Sequence, residues 1–415
     1  MKRTTLLSLI IGLSFLNTAF SQTAVSSPKT LLWRISGHGL KNNSFLYGTM
    51  HVQDKRLFFF GDSLYHCLEQ ADGYAMEVDL HEVVDSMVQR MIEQKEQEMF
   101  NKGFSMGKNK TKTIDSLLKN VEKFNDKASR KQLIKLREER MNSVFKNKEM
   151  PTIMDAYLYY IAQRQGKWVG AVEDVQDQLP LLDELGKDIG REELLAPEKE
   201  MEVSAEKMIR IYLSQDLDKL EEYTVESIRG EAVDKMLLKR NRKMAERMDS
   251  MSHSRSMFFA VGAAHLPGDS GVISLLRKKG YSVTPVFSVQ KVDPDKYASK
   301  LAGIPWVKVA GYDKTYSVEM PGKPSDMSLY NDMLKMQYYV DMATMNFFMT
   351  ASSIVQKDVS LDKVVENMST NSDANILSKK AITSHGLRGM ETSFTTSGYY
   401  YKVQFLVSGK TMYML

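Results

Sequence analysis

Cysteine is nearly missing. Cys67 is the only one in 415 residues, so no intrachain disulfide can form. It lies in Ser63-Leu64-Tyr65-His66-Cys67-Leu68-Glu69-Gln70, an amphipathic helical pattern with nothing nearby to activate a thiolate. It therefore reads as a small buried hydrophobe and not as a nucleophile. A surplus of one charge sign is missing too. The chain has 56 Lys and Arg against 52 Asp and Glu, a net charge of +4, which gives no basis for a nucleic-acid partner. Beyond the N-terminus no stretch stays apolar for the roughly 20 residues that a transmembrane helix needs.

The N-terminus has the three parts of an export signal. Lys2 and Arg3 are the positive start, and Leu6 to Leu16 is almost wholly apolar but too short to span a membrane. Ala19-Phe20-Ser21 places small residues where a signal peptidase reads. The pattern predicts cleavage after Ser21 and a periplasmic or secreted protein, with an uncleaved N-terminal anchor as the alternative. No cysteine follows the apolar run, which argues against a lipoprotein.

The body of the chain alternates strand-like and helix-like text. Strands are predicted at Leu31 to Ile35, Ser44 to Tyr47, Gly73 to Asp79, Lys167 to Glu173, Met257 to Val261 and Ser282 to Phe287. Helices are predicted over Gly61 to Ala71 with Asp62 as N-cap, over Met154 to Gln165, from Asp174 through Gln178, and up to Lys279 with Gly280 as C-cap. Residues of about 82–150 and 197–252 are rich in Lys, Glu, Met and Leu at helical spacing and read as helical insertions, their charge runs as solvated faces. Residues 289–304 are polar and read as a linker. Residues 305–415 change composition and read as a small α+β domain. There we expect a strand over Met336 to Phe348, helices near Leu361 to Met368 and Asp373 to Ala381, and a final hairpin turning at Ser408-Gly409.

Two stretches repeat one plan. Phe45-Leu46-Tyr47-Gly48-Thr49-Met50-His51 and Phe258-Phe259-Ala260-Val261-Gly262-Ala263-Ala264-His265 each end an apolar strand in G-x-x-H. Each is followed by a helix, a Gly-Tyr pair and another strand. A weak internal duplication is the economical reading, and the β-α-β order of each unit places both in one α/β sheet. In such a sheet ligands gather beyond the carboxyl ends of the strands. A glycine there permits a tight turn and close backbone approach, and His51 and His265 would face one crevice if their strands are parallel neighbours. Glu77 and Asp79 would reach the same rim, as would Glu173. Imidazoles with a carboxylate suit a Zn, Mn, Co or Fe ion that keeps a position for water. Without a metal, the same groups suit acid–base chemistry, with Arg240 facing a developing oxyanion and Asn241 orienting substrate. His38, His66, His81, His253 and His385 lack this context and read as structural or exposed.

The order of these motifs resembles the TraB/GumN family, which includes the TIKI-type proteins. The resemblance rests on Tyr47-Gly48-Thr49-Met50-His51, Ala71-Asp72 through Glu77, Ala171-Val172-Glu173 with Gln178, Arg240-Asn241, Val261-Gly262-Ala263-Ala264-His265 and Gly271 through Tyr281. It covers residues of about 28–288. It implies an α/β core, here a mixed sheet with two β-GxxH-α units and a large helical insertion, followed by the extra C-terminal α+β domain. It also implies a metal-dependent hydrolase acting on peptides or proteins, with Mn or Co favoured and Zn as the alternative. His51, His265 and Glu77 become the metal ligands by this resemblance, with Glu77, Arg240, Asn241 and Glu173 as catalytic groups and Gly48 and Gly262 as the motif glycines. The H-E-x-x-H of zinc proteases is absent. Two other classes stay open: a protein that sequesters a peptide without cleaving it, and a metal or haem binder that uses the paired histidines.

Overall fold

The computed structural model describes residues 28–86, 88–90, 150, 152–178, 197–227, 237–329, 334–355, 359–372, 374–396 and 399–415. The predicted export signal and most of the predicted helical insertion of 82–150 lie outside them. Antiparallel strands β1 (Leu32–Gly37) and β2 (Ser44–Thr49) come first. Helix α1 (Asp62–Gln70) leads to β3 (Gly73–Val78), and helix α2 (Met154–Arg164) to β4 (Trp168–Glu173). Helices α3 (Glu198–Leu213), α4 (Leu217–Ser227) and α5 (Lys239–Ser254) precede β5 (Met257–Gly262). Helix α6 (Val272–Lys278) and strand β6 (Tyr281–Pro285) close the unit.

These six strands make one mixed sheet in the order β4-β3-β5-β2-β1-β6. Strands β4, β3, β5 and β2 run parallel, and β1 is antiparallel to both of its neighbours. The two repeated units thus share one sheet, and β5 inserts between β2 and β3. That insertion makes β2 and β5 parallel neighbours, with Gly48 opposite Val261 and Thr49 opposite Gly262. Central parallel strands are covered on both faces, which is why Phe258, Phe259, Ala260 and Val261 are all buried and show no alternation. Cys67 is buried in α1, and burial pushes its thiol up to about 11, as an inert structural residue requires.

Two cap positions differ from expectation by one residue. Gly61 is the N-cap of α1, and Asp62 is the first helical residue. Its Oδ1 accepts the N–H groups of Ser63 at 2.8 Å and Val289 at 3.1 Å, so the carboxylate ties down a distant segment as well as the first turn. Gly280 follows the C-cap Lys279 of α6 at φ 99, the left-handed position that glycine takes without strain.

Within residues 289–304 the chain forms a short helix α7 (Pro294–Ala298), capped by Asp293. Its Tyr297 stacks on Tyr65 at 3.8 Å, donates to Glu69 at 2.6 Å and accepts from Gln165 at 2.8 Å. The segment therefore adds a side chain to the main core.

The C-terminal region begins with a two-stranded hairpin, β7 (Val307–Ala310) with β8 (Ser317–Met320). An antiparallel seven-stranded sheet follows. Its strands are β9 (Ser325–Leu329), β10 (Leu334–Asp341), β11 (Asn346–Ile354), β12 (Asn375–Ser384), β13 (Leu387–Thr396), β14 (Tyr399–Ser408) and β15 (Thr411–Met414), in the order β12-β13-β14-β15-β11-β10-β9. Helix α8 (Leu361–Ser372) packs Leu361 and Val365 against Met390, Phe394 and Phe405. The α+β expectation and the final hairpin hold. Two local expectations do not. Met336 to Phe348 is not one strand, because the chain turns between β10 and β11: Asp341 Oδ1 accepts the N–H of Ala343, and Met345 takes φ 56. The helix expected over Asp373 to Ala381 is not formed from residue 374 on, because Asn375–Ser384 pairs with β13.

This second sheet leans on the first unit. Met327, Met336, Tyr338, Val340 and Met342 cluster with Ala156 of α2 and with Leu80 and Val84 of a helix that begins at residue 80. Tyr338 Oη donates to Asp85 at 2.5 Å. We expect Tyr297→Ala to lower the unfolding free energy by about 3 kcal/mol, the scale of a buried aromatic truncation. A chemical-denaturation curve unchanged by this substitution would return residues 289–304 to the status of a passive tether.

Candidate functional site

The carboxyl ends of β4, β3, β5 and β2 lie side by side, and each contributes a polar group. Glu77 lies one residue before the end of β3, and Glu173 ends β4, where it pairs in register with Val78. His265 lies in a single 3-10 turn, Ala263–His265, directly after β5. His51 follows β2 by two residues.

The motif glycines are required by close approach and not by a left-handed backbone. A Cβ on Gly48 would stand 3.1 Å from Cα and Cβ of Ala263 and from Leu266, so glycine lets the His265 turn settle against β2 without pushing it away. A Cβ on Gly262 would meet Glu77 Oε2 at 3.2 Å. In its absence that oxygen accepts the Gly262 N–H at 3.0 Å. Gly262 has φ −50, open to any residue, and the tight 3-10 turn of Ala263–His265 follows it directly.

Glu77 is the centre of the group. Oε1 accepts from Gln178 at 3.0 Å and from Arg240 Nη2, and Oε2 lies 3.7 Å from His265 Nε2. Burial favours the neutral carboxyl, but His265, Arg240 and His51, with the Gly262 N–H, overcome it and hold Glu77 down at about 2. Arg240 also donates through Nε to both oxygens of Glu173 at 3.0 Å and through Nη2 at 2.6 Å, while Gln178 bridges to Glu173 at 2.7 Å. Arg240 is therefore a clamp on two carboxylates. Its guanidinium faces Glu77 and Glu173 in place of the oxyanion expected from sequence.

Asn241 fixes His265. Its Oδ1 lies 2.6 Å from His265 Nδ1, and its amide donates to the Ser270 carbonyl at 2.9 Å. That orientation makes Nδ1 the protonated nitrogen and leaves the Nε2 lone pair toward Glu77. Burial pushes His265 below its usual range, which favours this neutral form. Asn241 thus positions a histidine and does not reach out to substrate.

The residue that sequence reasoning missed is Asp155. It lies in the first turn of α2, buried, and accepts from Thr49 Oγ1 at 2.7 Å through Oδ1. Its Oδ2 lies 3.1 Å from His51 Nε2. The Asp155 carboxylate pushes the half-exposed His51 up to about 9, against burial. A usable signal was present: Asp155 interrupts the apolar text Ile153-Met154-Asp155-Ala156-Tyr157-Leu158, where an acid is seldom buried without a partner.

The rim thus has two parts, His51 with Asp155 and Thr49, and Glu77 with His265, Arg240, Glu173, Gln178 and Asn241. Glu77 couples electrostatically to both histidines. The ligand atoms of His51, Glu77 and His265 do not all come within 4.8 Å of one another. Asp79, expected at the rim, instead caps the following helix by accepting the His81 N–H at 2.9 Å.

The model of the TraB/PrgY/gumN family matches residues 31–285, the whole unit that carries this rim. The chain belongs to the TraB/PrgY/gumN family. It is also similar to the metalloprotease TIKI1 of Xenopus tropicalis, 28% identical over 164 residues that cover 32% of this chain and 32% of the relative. Against the metalloprotease TIKI2 of Danio rerio it is 27% identical over 164 residues, again 32% of each. The alignments span about a third of the length of these relatives.

In this TraB/PrgY/gumN rim, removing one partner of a buried ion group is costly. Arg240→Ala should destabilise the fold by about 3–5 kcal/mol, since Glu77 and Glu173 would be left facing each other; urea unfolding measures it. For His51 the sign is set by the raised value. The stabilisation from its pair with Asp155 is fully present below the ordinary histidine range near 6.5 and is lost as pH rises through about 9. In the metal-free protein, Asp155→Asn should bring the His51 titration, followed by NMR, back down toward 6.5. A His51 titration that ignores this substitution would remove Asp155 from the site.

Proposed function

We propose that the chain is a metal-dependent peptidase whose centre is the rim of β2, β5 and β3. One observation carries this reading. Both G-x-x-H histidines have one ring nitrogen against a buried oxygen: His51 Nε2 lies 3.1 Å from Asp155 Oδ2, and His265 Nδ1 lies 2.6 Å from Asn241 Oδ1. That is the outer arrangement typical of metal-binding histidines, in which the second nitrogen is left for the ion. His51 Nδ1, His265 Nε2 and Glu77 Oε2 would hold it once drawn closer together than they stand here, and the chemistry of this donor set suits Mn, Co or Zn. When bound, such an ion polarises a carbonyl and lowers the pKa of its water.

The chain's own groups do the rest. Asn241 fixes His265 in the tautomer that presents its Nε2 lone pair, and Asp155 faces His51 Nε2, so that an ion would take Nδ1 in place of the proton there. Gly262, Gln178 and Arg240 keep Glu77 ionised and aimed at His265. Glu173 anchors Arg240, so that the guanidinium cannot swing away from Glu77. The relatives named metalloproteases support a peptide or protein substrate, and the N-terminal sequence pattern supports action outside the cytoplasm. Among the described residues no helix is long and apolar enough to cross a membrane.

Sequestration without cleavage is the weaker reading, because Arg240 is engaged by two carboxylates and does not present its charge to a peptide terminus. A peptide library incubated with Mn- or Co-loaded protein and read by mass spectrometry separates the two. We expect multiple turnovers, lost on chelation and restored by adding the ion. His265→Ala should lower the rate by at least about 100-fold, the upper scale for disturbed metal sites. Stoichiometric protection of a peptide without products would overturn the peptidase reading.

A further inference from the structure

A second group of metal-ligating side chains lies at the other end of the sheet. His38 precedes the amino end of β2, whereas His51 follows its carboxyl end. We propose that His38, Asp249 and His253 form a separate site for a divalent transition ion of the zinc type. One ligand atom from each lies within 4.8 Å of the other two, and among the described residues no other group of three or more meets that condition.

Helix α5 supplies two of the ligands. Asp249 and His253 are four residues apart in its last turns, on one face. His253 Nδ1 lies 2.9 Å from the Asp249 carbonyl oxygen and 3.3 Å from Asp249 Oδ1. The ring nitrogen that faces the carboxylate is therefore Nδ1, and an ion bound there would replace its contact with the carbonyl. The carboxylate is oriented from outside. Tyr281 Oη donates to Oδ1 at 2.6 Å and Lys279 Nζ to Oδ2 at 3.0 Å. A carboxylate oxygen carries a second lone pair, so Oδ1 can keep Tyr281 and still face an ion.

The third ligand arrives on an unusual backbone. Gly37, His38 and Gly39 take φ 78, 47 and 79, three successive left-handed residues. Glycine does this freely, but histidine does so at a cost, and such residues recur where a side chain must be held for a ligand. The His38 ring stands edge-on to Tyr281 at 4.7 Å and to His253 at 5.6 Å. A Cβ on Gly280 would come within 3.1 Å of His38 Nδ1, so that glycine also makes room for the imidazole. Two imidazoles and one carboxylate, partly open to solvent, suit Zn and its neighbours and not Mg or Ca.

The ion would join the β1–β2 turn to the carboxyl end of α5, the helix that carries Arg240 and Asn241 at its amino end. It does not depend on the peptidase reading. It does bear on any metal assay, because ion retained by a His51→Ala, His265→Ala variant would come from here.

The test uses full-length protein with Zn or Co. After desalting, zinc should remain near one per chain in the His51→Ala, His265→Ala variant and fall by roughly tenfold or more when His38→Asn and His253→Asn are added to it, in line with the loss of ligands. Zinc should raise the melting temperature of the double variant and not of the quadruple one. A direct measurement uses the His51→Ala, His265→Ala variant: Co should broaden its His38 and His253 imidazole signals in the NMR spectrum. No broadening of those two signals, or zinc retention in that variant unaffected by the added His38 and His253 changes, would overturn the proposal.

Discussion

The carboxylate of Glu77 is the constraint around which the first unit is organised. Taking a carboxylate out of water costs several kcal/mol unless charge and hydrogen bonds replace the solvent. Here three groups do so: the Gly262 N–H, Gln178 and Arg240. They come from the end of β5, the segment after β4 and the start of α5. The Gly262 N–H reaches Glu77 because β5 lies between β2 and β3. The sheet order, the bare glycine at 262 and the placement of α5 together meet the one buried charge.

Helix α5 carries a polar cluster at each end. At its amino end Arg240 and Asn241 hold Glu77 and His265. At its carboxyl end Asp249 and His253 meet His38 in the β1–β2 turn. The helix is buried along Asn241, Met244, Ala245 and Met248, so it lies firmly between these two polar clusters. Rigid support of this kind is what a reactive centre needs, because small displacements of a ligand or base are felt strongly in the chemistry. The C-terminal sheet acts on the same centre from another side. It packs on Ala156, the residue after Asp155, and so bears on the helix turn that meets His51.

Much of the first unit was legible because local pattern and global position agree there. Phe258 to Val261 is an apolar run because a central parallel strand is covered on both faces, and the glycines at 48 and 262 mark real close approaches. The C-terminal region was less legible. The turn between β10 and β11 carries neither Gly nor Pro and is built by Asp341 hydrogen bonds, so Met336 to Phe348 looked continuous. Strand β12 is mostly exposed and polar, at the edge of its sheet. Its conformation comes from pairing with β13, which overrides a composition that favours a helix.

Sequence by itself determined the class of the protein: an α/β core with two matched strand-glycine-histidine units, no disulfide, and a second region of different composition. Those features are local, written in periods of two and 3.6 and in the residues that punctuate them. Tertiary structure alone decided the partners. Asp155 reaches His51, Arg240 grips Glu77 and Glu173, Asn241 steers His265, and His38 meets Asp249 and His253 across most of the chain's length. Buried polar groups must find complements somewhere, but which complement depends on the order of strands in a sheet. That order is set by long-range packing and leaves no trace in the spacing of residues along the chain.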